Sequence, residues 1–141
     1  MAPKSYATLA LLFVTLFFAG QVIAEDILFS GETMTAGQYI ESGTYRFIMQ
    51  TDCNLVLYTG TRALWASNTA RRATNCRVTL QTNGNLVVLS GTDVIWTSNT
   101  AHSSTNYRLI VQGDGNVVIY GAALWATNTV QSRRRLLQID N

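Results

Sequence analysis

Phe47 to Ala70 reads FIMQTDCNLVLYTGTRALWASNTA. The same order of residue types returns as VTLQTNGNLVVLSGTDVIWTSNTA from Val78 to Ala101 and as LIVQGDGNVVIYGAALWATNT from Leu109 to Thr129. Gln50, Gln81 and Gln112 recur at steps of 31, and Trp65, Trp96 and Trp125 at 31 and then 29. The third unit is shorter between Tyr120 and Trp125, which places the deletion in a turn, where length changes are tolerated best. A period of this size marks an architecture in which one supersecondary unit is repeated.

The units read as strands. Asn54–Tyr58 and Asn116–Tyr120 are rich in Val, Leu, Ile and Tyr and are bounded by Asp-Gly, Asn-Gly and Thr-Gly turn signals. The one proline, Pro3, lies near the N-terminus. The domain is therefore expected to be all-β, with a hairpin as its repeated unit.

Thr51-Asp52-Cys53, Thr82-Asn83-Gly84 and Gly113-Asp114-Gly115 fit a three-residue hairpin loop, a type I turn closed by a left-handed residue. With that loop Gln50 pairs with Asn54. Paired residues and every second residue share a face, so Gln50, Asn54, Val56 and Tyr58 lie together with Asp52 at the tip. Met49, Leu55 and Leu57 face the other way, toward a core. A two-residue turn would pair Gln50 with Leu55 and mix polar and apolar groups on one side. Cys53 then stands where the other repeats carry glycine, an uncommon place for a residue with a side chain.

A face of amides, a carboxylate and a phenol offers donors and acceptors together, which suits sugar hydroxyls, and valine methyls can meet a sugar's C–H surface. By itself such a face is more often a solvated surface than a site. The full pattern, Gln50-Asp52-Asn54-Val56-Tyr58 and again Gln112-Asp114-Asn116-Val118-Tyr120, resembles the signature of the monocot mannose-binding, or bulb-type, lectins. The resemblance runs from about Asp26 to Thr129 and includes an opening Ile27-Leu28-Phe29-Ser30-Gly31-Glu32.

The resemblance implies a β-prism II fold of three four-stranded antiparallel sheets with pseudo-threefold symmetry. Trp65, Trp96 and Trp125 would stack near the axis as a shared core. It also implies roles: Asp52, Asn54, Asp114 and Asn116 on the axial 2-hydroxyl of mannose, Gln50 and Gln112 on the 3-hydroxyl, Tyr58 and Tyr120 on the 4-hydroxyl, and Val56 and Val118 against the ring. Polar groups awaiting an axial hydroxyl are left unpaired by glucose, so such a site discriminates. The middle repeat departs from the pattern as Gln81-Asn83-Asn85-Val87-Leu89. Asn83 lacks the charge that strengthens a carboxylate's hydrogen bonds, and Leu89 lacks the phenol, so this site is expected to be weak or dead.

Outward from the repeats, Lys4 precedes an apolar run from Ala7 to Ala19, shorter than the roughly 20 residues of a bilayer helix. Val22 and Ala24 occupy the −3 and −1 places of a signal-peptidase site. Residues 1–24 are expected to be a secretory signal peptide, residues 25–129 the lectin domain, and residues 130–141 a basic tail that resembles the propeptides some family precursors lose, the alternative being a basic end that remains. The product is expected in the secretory pathway, secreted or vacuolar, without a membrane span. Cys53 and Cys76, the only cysteines, are then most simply one disulfide.

The net formal charge is +2 and no basic stripe marks a nucleic-acid partner. Two thiols and the lone His102 fall short of a zinc set; neither a metal nor a cofactor is expected. Asp52 and Asp114 belong to different repeats, so no carboxylate pair suggests an enzyme. Shallow sugar clefts bind singly with low strength, and multivalency compensates. The family commonly dimerises by exchanging its C-terminal strand, here Ala122–Thr129, so a homodimer or higher oligomer engaging mannose-containing glycans and glycoproteins, in a defence role, is the implied assembly. The alternative is a lectin-fold protein that has lost sugar binding and acts through protein contacts, in storage, antifungal or taste-active roles.

Overall fold

The structure is a computed structural model that describes residues 26–103, 106–121 and 125–131. The expected signal segment, residues 132–141 of the expected tail, and residues 122–124 of the expected exchange strand lie outside the described residues. The N-terminal segment forms β1 (Ile27–Phe29), β2 (Thr33–Thr35) and β3 (Tyr39–Ser42). The first repeat forms β4 (Tyr45–Met49), β5 (Leu55–Thr59) and β6 (Arg62–Ala66). The second forms β7 (Cys76–Leu80), β8 (Leu86–Ser90) and β9 (Asp93–Thr97), and the third β10 (Arg108–Val111), β11 (Val117–Tyr120) and β12 (Trp125–Ala126).

These strands make three four-stranded antiparallel sheets, ordered β3-β4-β5-β6, β2-β7-β8-β9 and β1-β10-β11-β12. Each repeat is thus a three-stranded meander rather than a hairpin alone. Its sheet is completed by one strand of the N-terminal segment, which visits all three sheets in turn. Leu28, Met34 and Ile40, one in each of these short strands, are buried and recur at steps of six.

Equivalent rows cross the three sheets on their inner faces. Ile40 pairs with Phe47, Phe47 with Leu57 and Leu57 with Trp65. The second sheet repeats this as Met34, Val78, Val88 and Trp96, and the third as Leu28, Leu109, Ile119 and Trp125. The first three positions of each row are buried in one continuous core. Full burial of each such aliphatic or aromatic side chain contributes about 2 kcal/mol.

The three tryptophans meet pairwise with ring centroids 5.5, 5.3 and 5.9 Å apart and interplanar angles of 73°, 81° and 71°. They touch edge to face rather than stacking, the arrangement that the ring quadrupole favours, and each stays partly exposed at the edge of the core. This closed triangle gives the three sheets their pseudo-threefold relation. A bulge between Leu57 and Tyr58, repeated between Val88 and Leu89, inserts Leu64 and Ile95. It returns Trp65 and Trp96 to the inner face while Tyr58 and Leu89 stay on the outer one.

A disulfide joins Cys53, at the first hairpin tip, to Cys76, at the start of β7, with the Cα atoms 5.2 Å apart. It therefore ties the first sheet to the second. β12 pairs with β11 of the same chain. Among the described residues no helix is long and apolar enough to cross a membrane, and no group of three or more His, Cys, Asp or Glu side chains is placed to hold a metal ion.

Candidate functional site

The hairpin geometry expected from the sequence is the one found. The Gln50 N–H donates to Asn54 O at 2.9 Å and the Cys53 N–H to Gln50 O at 3.2 Å. Gln81 with Asn85 and Gln112 with Asn116 repeat the pair at 2.9 and 2.8 Å. The closing residues Cys53, Gly84 and Gly115 have φ of 73°, 83° and 84°. Glycine takes this conformation without strain; Cys53 is held there by its cross-link.

The tip carboxylate is anchored on one side only. Asp52 Oδ1 accepts the Asn54 N–H at 2.9 Å, and Asp114 Oδ1 accepts the Asn116 N–H at 3.0 Å. The second oxygen of each carboxylate is left to accept from a ligand. Asn54 is oriented by the segment after β6: Oδ1 accepts the Thr69 N–H at 3.2 Å and lies 3.2 Å from Ser67 Oγ, which donates to it. In the third repeat Asn116 Oδ1 accepts from Thr127 Oγ1 at 2.9 Å and from the Thr129 N–H at 3.3 Å. With Oδ1 engaged, the Asn amide turns its N–H groups outward. A hydroxyl seated between Asp52 and Asn54 can therefore donate to the one and accept from the other.

Gln50 Nε2 donates to Tyr58 Oη at 2.6 Å, and Gln112 Nε2 makes the same bond to Tyr120 Oη. This leaves Gln Oε1 as an acceptor and the phenol proton as a donor. Gln50, Asp52, Asn54 and Tyr58 are thus gathered on one face, and Gln112, Asp114, Asn116 and Tyr120 on another. Val56, Val87 and Val118 share these faces but are only 2%, 2% and 6% exposed. They form a nearly covered floor, so a ligand meets mainly the polar groups and less of the valine methyls than the sequence suggests.

The middle repeat keeps the scaffold and changes its polarity. Asn83 Oδ1 accepts the Asn85 N–H at 3.0 Å, as the carboxylates do. What remains outward is an NH₂ group, a donor where Asp52 and Asp114 offer an acceptor. Asn85 Oδ1 is itself taken by Thr97, Ser98 and Thr100, so both outward groups are donors. Leu89 gives Gln81 no phenol to bond.

Two parts of the site were not read from the sequence. Ser67-Asn68-Thr69, Ser98-Asn99-Thr100 and Thr127-Asn128-Thr129 recur after each tryptophan; their central asparagines are left-handed, with φ of 57°, 54° and 55°. Ser67 Oγ also accepts the Leu55 N–H at 3.0 Å, as Thr127 Oγ1 accepts that of Val117 at 2.9 Å. The second part is the return of the chain to each tip: the N–H groups of Arg71, His102 and Gln131 donate to the carbonyls of Asp52, Asn83 and Asp114 at 2.6, 2.7 and 2.6 Å. The recurring Ser/Thr-Asn-Thr was the available signal for the first; backbone bonds from dissimilar residues left none for the second.

Comparison with known proteins agrees with this architecture. No family model matches the chain. Among solved structures, a monomeric monocot mannose-binding lectin from Gastrodia elata superposes with a TM-score of 0.74 at 49% identity, covering 75% of this chain and 99% of the other. The mannose-specific agglutinin of snowdrop (Galanthus nivalis), complexed with methyl-α-D-mannoside, gives 0.68 at 47% identity, covering 77% and 100%. By sequence, the Galanthus nivalis mannose-specific lectin is 44% identical over 76 residues, 54% of this chain and 48% of that protein; the matched segment spans about half the length of such curated relatives. The fold is the β-prism II of these bulb lectins. The chain belongs to the monocot mannose-binding lectin family, and the relatives named above are lectins, non-enzymatic carbohydrate-binding proteins.

Proposed function

We propose that the protein is a lectin that recognises mannose on glycans through two sites per chain, Gln50-Asp52-Asn54-Val56-Tyr58 and Gln112-Asp114-Asn116-Val118-Tyr120, with the middle repeat weak or silent. The observation that carries this reading is the fixed polarity of the two sites. In each, a carboxylate oxygen left to accept lies on the same face as an amide turned to donate, beside a Gln–Tyr pair with one acceptor and one donor to spare. An axial hydroxyl between carboxylate and amide satisfies both; an equatorial one leaves a desolvated polar group unpaired, at a cost of about 1–3 kcal/mol. The mannoside complex of the snowdrop relative supports mannose as the ligand.

The same reading makes the protein multivalent even as a single chain, because its two sites lie on different sheets. Pairing of chains through the C-terminal segment raises the valency further, and sedimentation of the purified protein measures it. Residues 25–129 are the working domain, and residues 1–24 direct the chain into the secretory pathway, to a secreted or vacuolar destination consistent with a defence role. Retention on immobilised mannose and elution by free mannose test the activity. The unmutated protein is expected to be retained and a variant with both Asp52→Ala and Asp114→Ala to flow through; flow-through of the unmutated protein overturns the proposal.

A further inference from the structure

The middle repeat departs from the five-residue pattern without losing order. Its Asn85 Oδ1 accepts from Thr97 Oγ1 at 2.8 Å, from Ser98 Oγ at 3.1 Å and from the Thr100 N–H at 3.2 Å. Thr97 pairs with Val87, where the other two sheets pair Ala66 with Val56 and Ala126 with Val118. The middle amide therefore has one more hydroxyl holding it than its counterparts have. Asn83 is fixed as well, through Oδ1 to the Asn85 N–H at 3.0 Å, so little ordering remains to be done on binding.

With both oxygens engaged, Asn83 and Asn85 present only N–H donors outward. A sugar hydroxyl between them could accept from both but would find no acceptor for its own proton. An anionic oxygen has no proton to place and accepts a charge-assisted bond from each donor. The charge of the face points the same way. Arg46, Arg77 and Arg108 recur at steps of 31, paired across the sheets with Tyr58, Leu89 and Tyr120. Arg46 is neutralised by Glu41 at 3.0 Å, and the first and third faces carry Asp52 and Asp114. Arg77 donates to Gly91 O at 3.0 Å and, among the described residues, pairs with no carboxylate; no residue from Gln81 to Leu89 is acidic. At the far end Leu89 and Val94, partners across the sheet, offer an apolar surface to a sugar's C–H face, and Val94 is 60% exposed.

We propose that the middle repeat is a saccharide site of opposite polarity, in which Asn83 and Asn85, with Arg77 on the same face, hold the carboxylate or sulfate of an acidic sugar whose ring lies toward Leu89 and Val94. It extends the mannose reading above and takes from it the use of this face as a saccharide scaffold. The chain then reads two chemistries, neutral mannose on the first and third sheets and an acidic sugar on the second. A polysaccharide or cell surface that bears both engages all three sheets at once.

The test is calorimetric titration of the protein carrying both Asp52→Ala and Asp114→Ala, in which the mannose sites are removed and the middle repeat is intact. The probes are methyl α-glucoside, methyl α-glucuronide, methyl α-glucoside 6-sulfate and sodium acetate. An acidic sugar is expected to bind about tenfold more tightly than the neutral glucoside, and the larger of the two ratios identifies the anionic group. The preference is expected to weaken as salt is raised and to be reduced by Arg77→Gln. It is expected to fall to about one with Asn83→Asp, which puts a like charge in place of the tip donor, while the melting temperature stays unchanged. Equal affinity for the three sugars, binding of none of them, acetate binding as tight as that of the acidic sugars, or a preference that survives Asn83→Asp overturns the inference and leaves the mannose reading standing. Absence of methyl α-mannoside binding by the unmutated protein overturns the mannose reading and not the acidic site, which is titrated without it.

Discussion

At the level of single residues, the account turns on which atom of a tip side chain is left free. Asp52 and Asn83 both give Oδ1 to the backbone, so replacing one by the other exchanges an acceptor for a donor with almost no change of shape. Asp52→Asn is expected to weaken mannose binding at the first repeat by about tenfold or more, the worth of a charge-assisted hydrogen bond, with an unchanged melting temperature; calorimetry and a thermal scan measure the two. The converse pair, Asn83→Asp with Leu89→Tyr, is expected to add a binding equivalent at the middle repeat. Cys53 gives a separate prediction. Breaking the disulfide is expected to cost about 3 kcal/mol for a loop of this size. With Cys76→Ala in both proteins, Cys53→Gly is expected to be more stable than Cys53→Ala by about 1 kcal/mol, because the position is left-handed. Denaturant melts of the two double variants decide this.

Among the strands, what could be read in advance follows from periodicity. β5, β8 and β11 are continuous apolar runs bounded by turn signals, and the left-handed closing residue of each hairpin follows from pairing Gln50 with Asn54. β1, β2 and β3 have three or four residues each, too short for alternation to stand out; only the six-residue step of Leu28, Met34 and Ile40 marks them. The anchoring of Asn54 and Asn116 was visible as a recurring Ser/Thr-Asn-Thr but had no local meaning, since the contact spans more than ten residues. Thr127→Val is expected to orphan the Val117 N–H and release Asn116, lowering stability by about 1–3 kcal/mol and weakening the third site while leaving the first. A Cβ at Gly121 falls 2.1 Å from the Tyr107 ring, which is buried. Gly121→Ala is therefore expected to destabilise the fold by about 1–3 kcal/mol, seen as a lower melting temperature.

Across the whole molecule, threefold repetition explains the fold more completely than the function. The inner rows are interchangeable in chemistry, ending on tryptophans that meet in a triangle, and the sequence period implies them. The outer rows have diverged: Tyr58, Leu89 and Tyr120 end the three faces, and Glu41, Thr35 and Phe29 flank them. On the proposed reading, valency is set by which faces kept their polarity and not by the number of repeats. Calorimetric titration of the unmutated protein with methyl α-mannoside tests this most directly. Two equivalents per chain are predicted, falling to one in either Asp52→Ala or Asp114→Ala and to none when both are changed. Three equal sites, or binding that persists in the doubly changed protein, would contradict it.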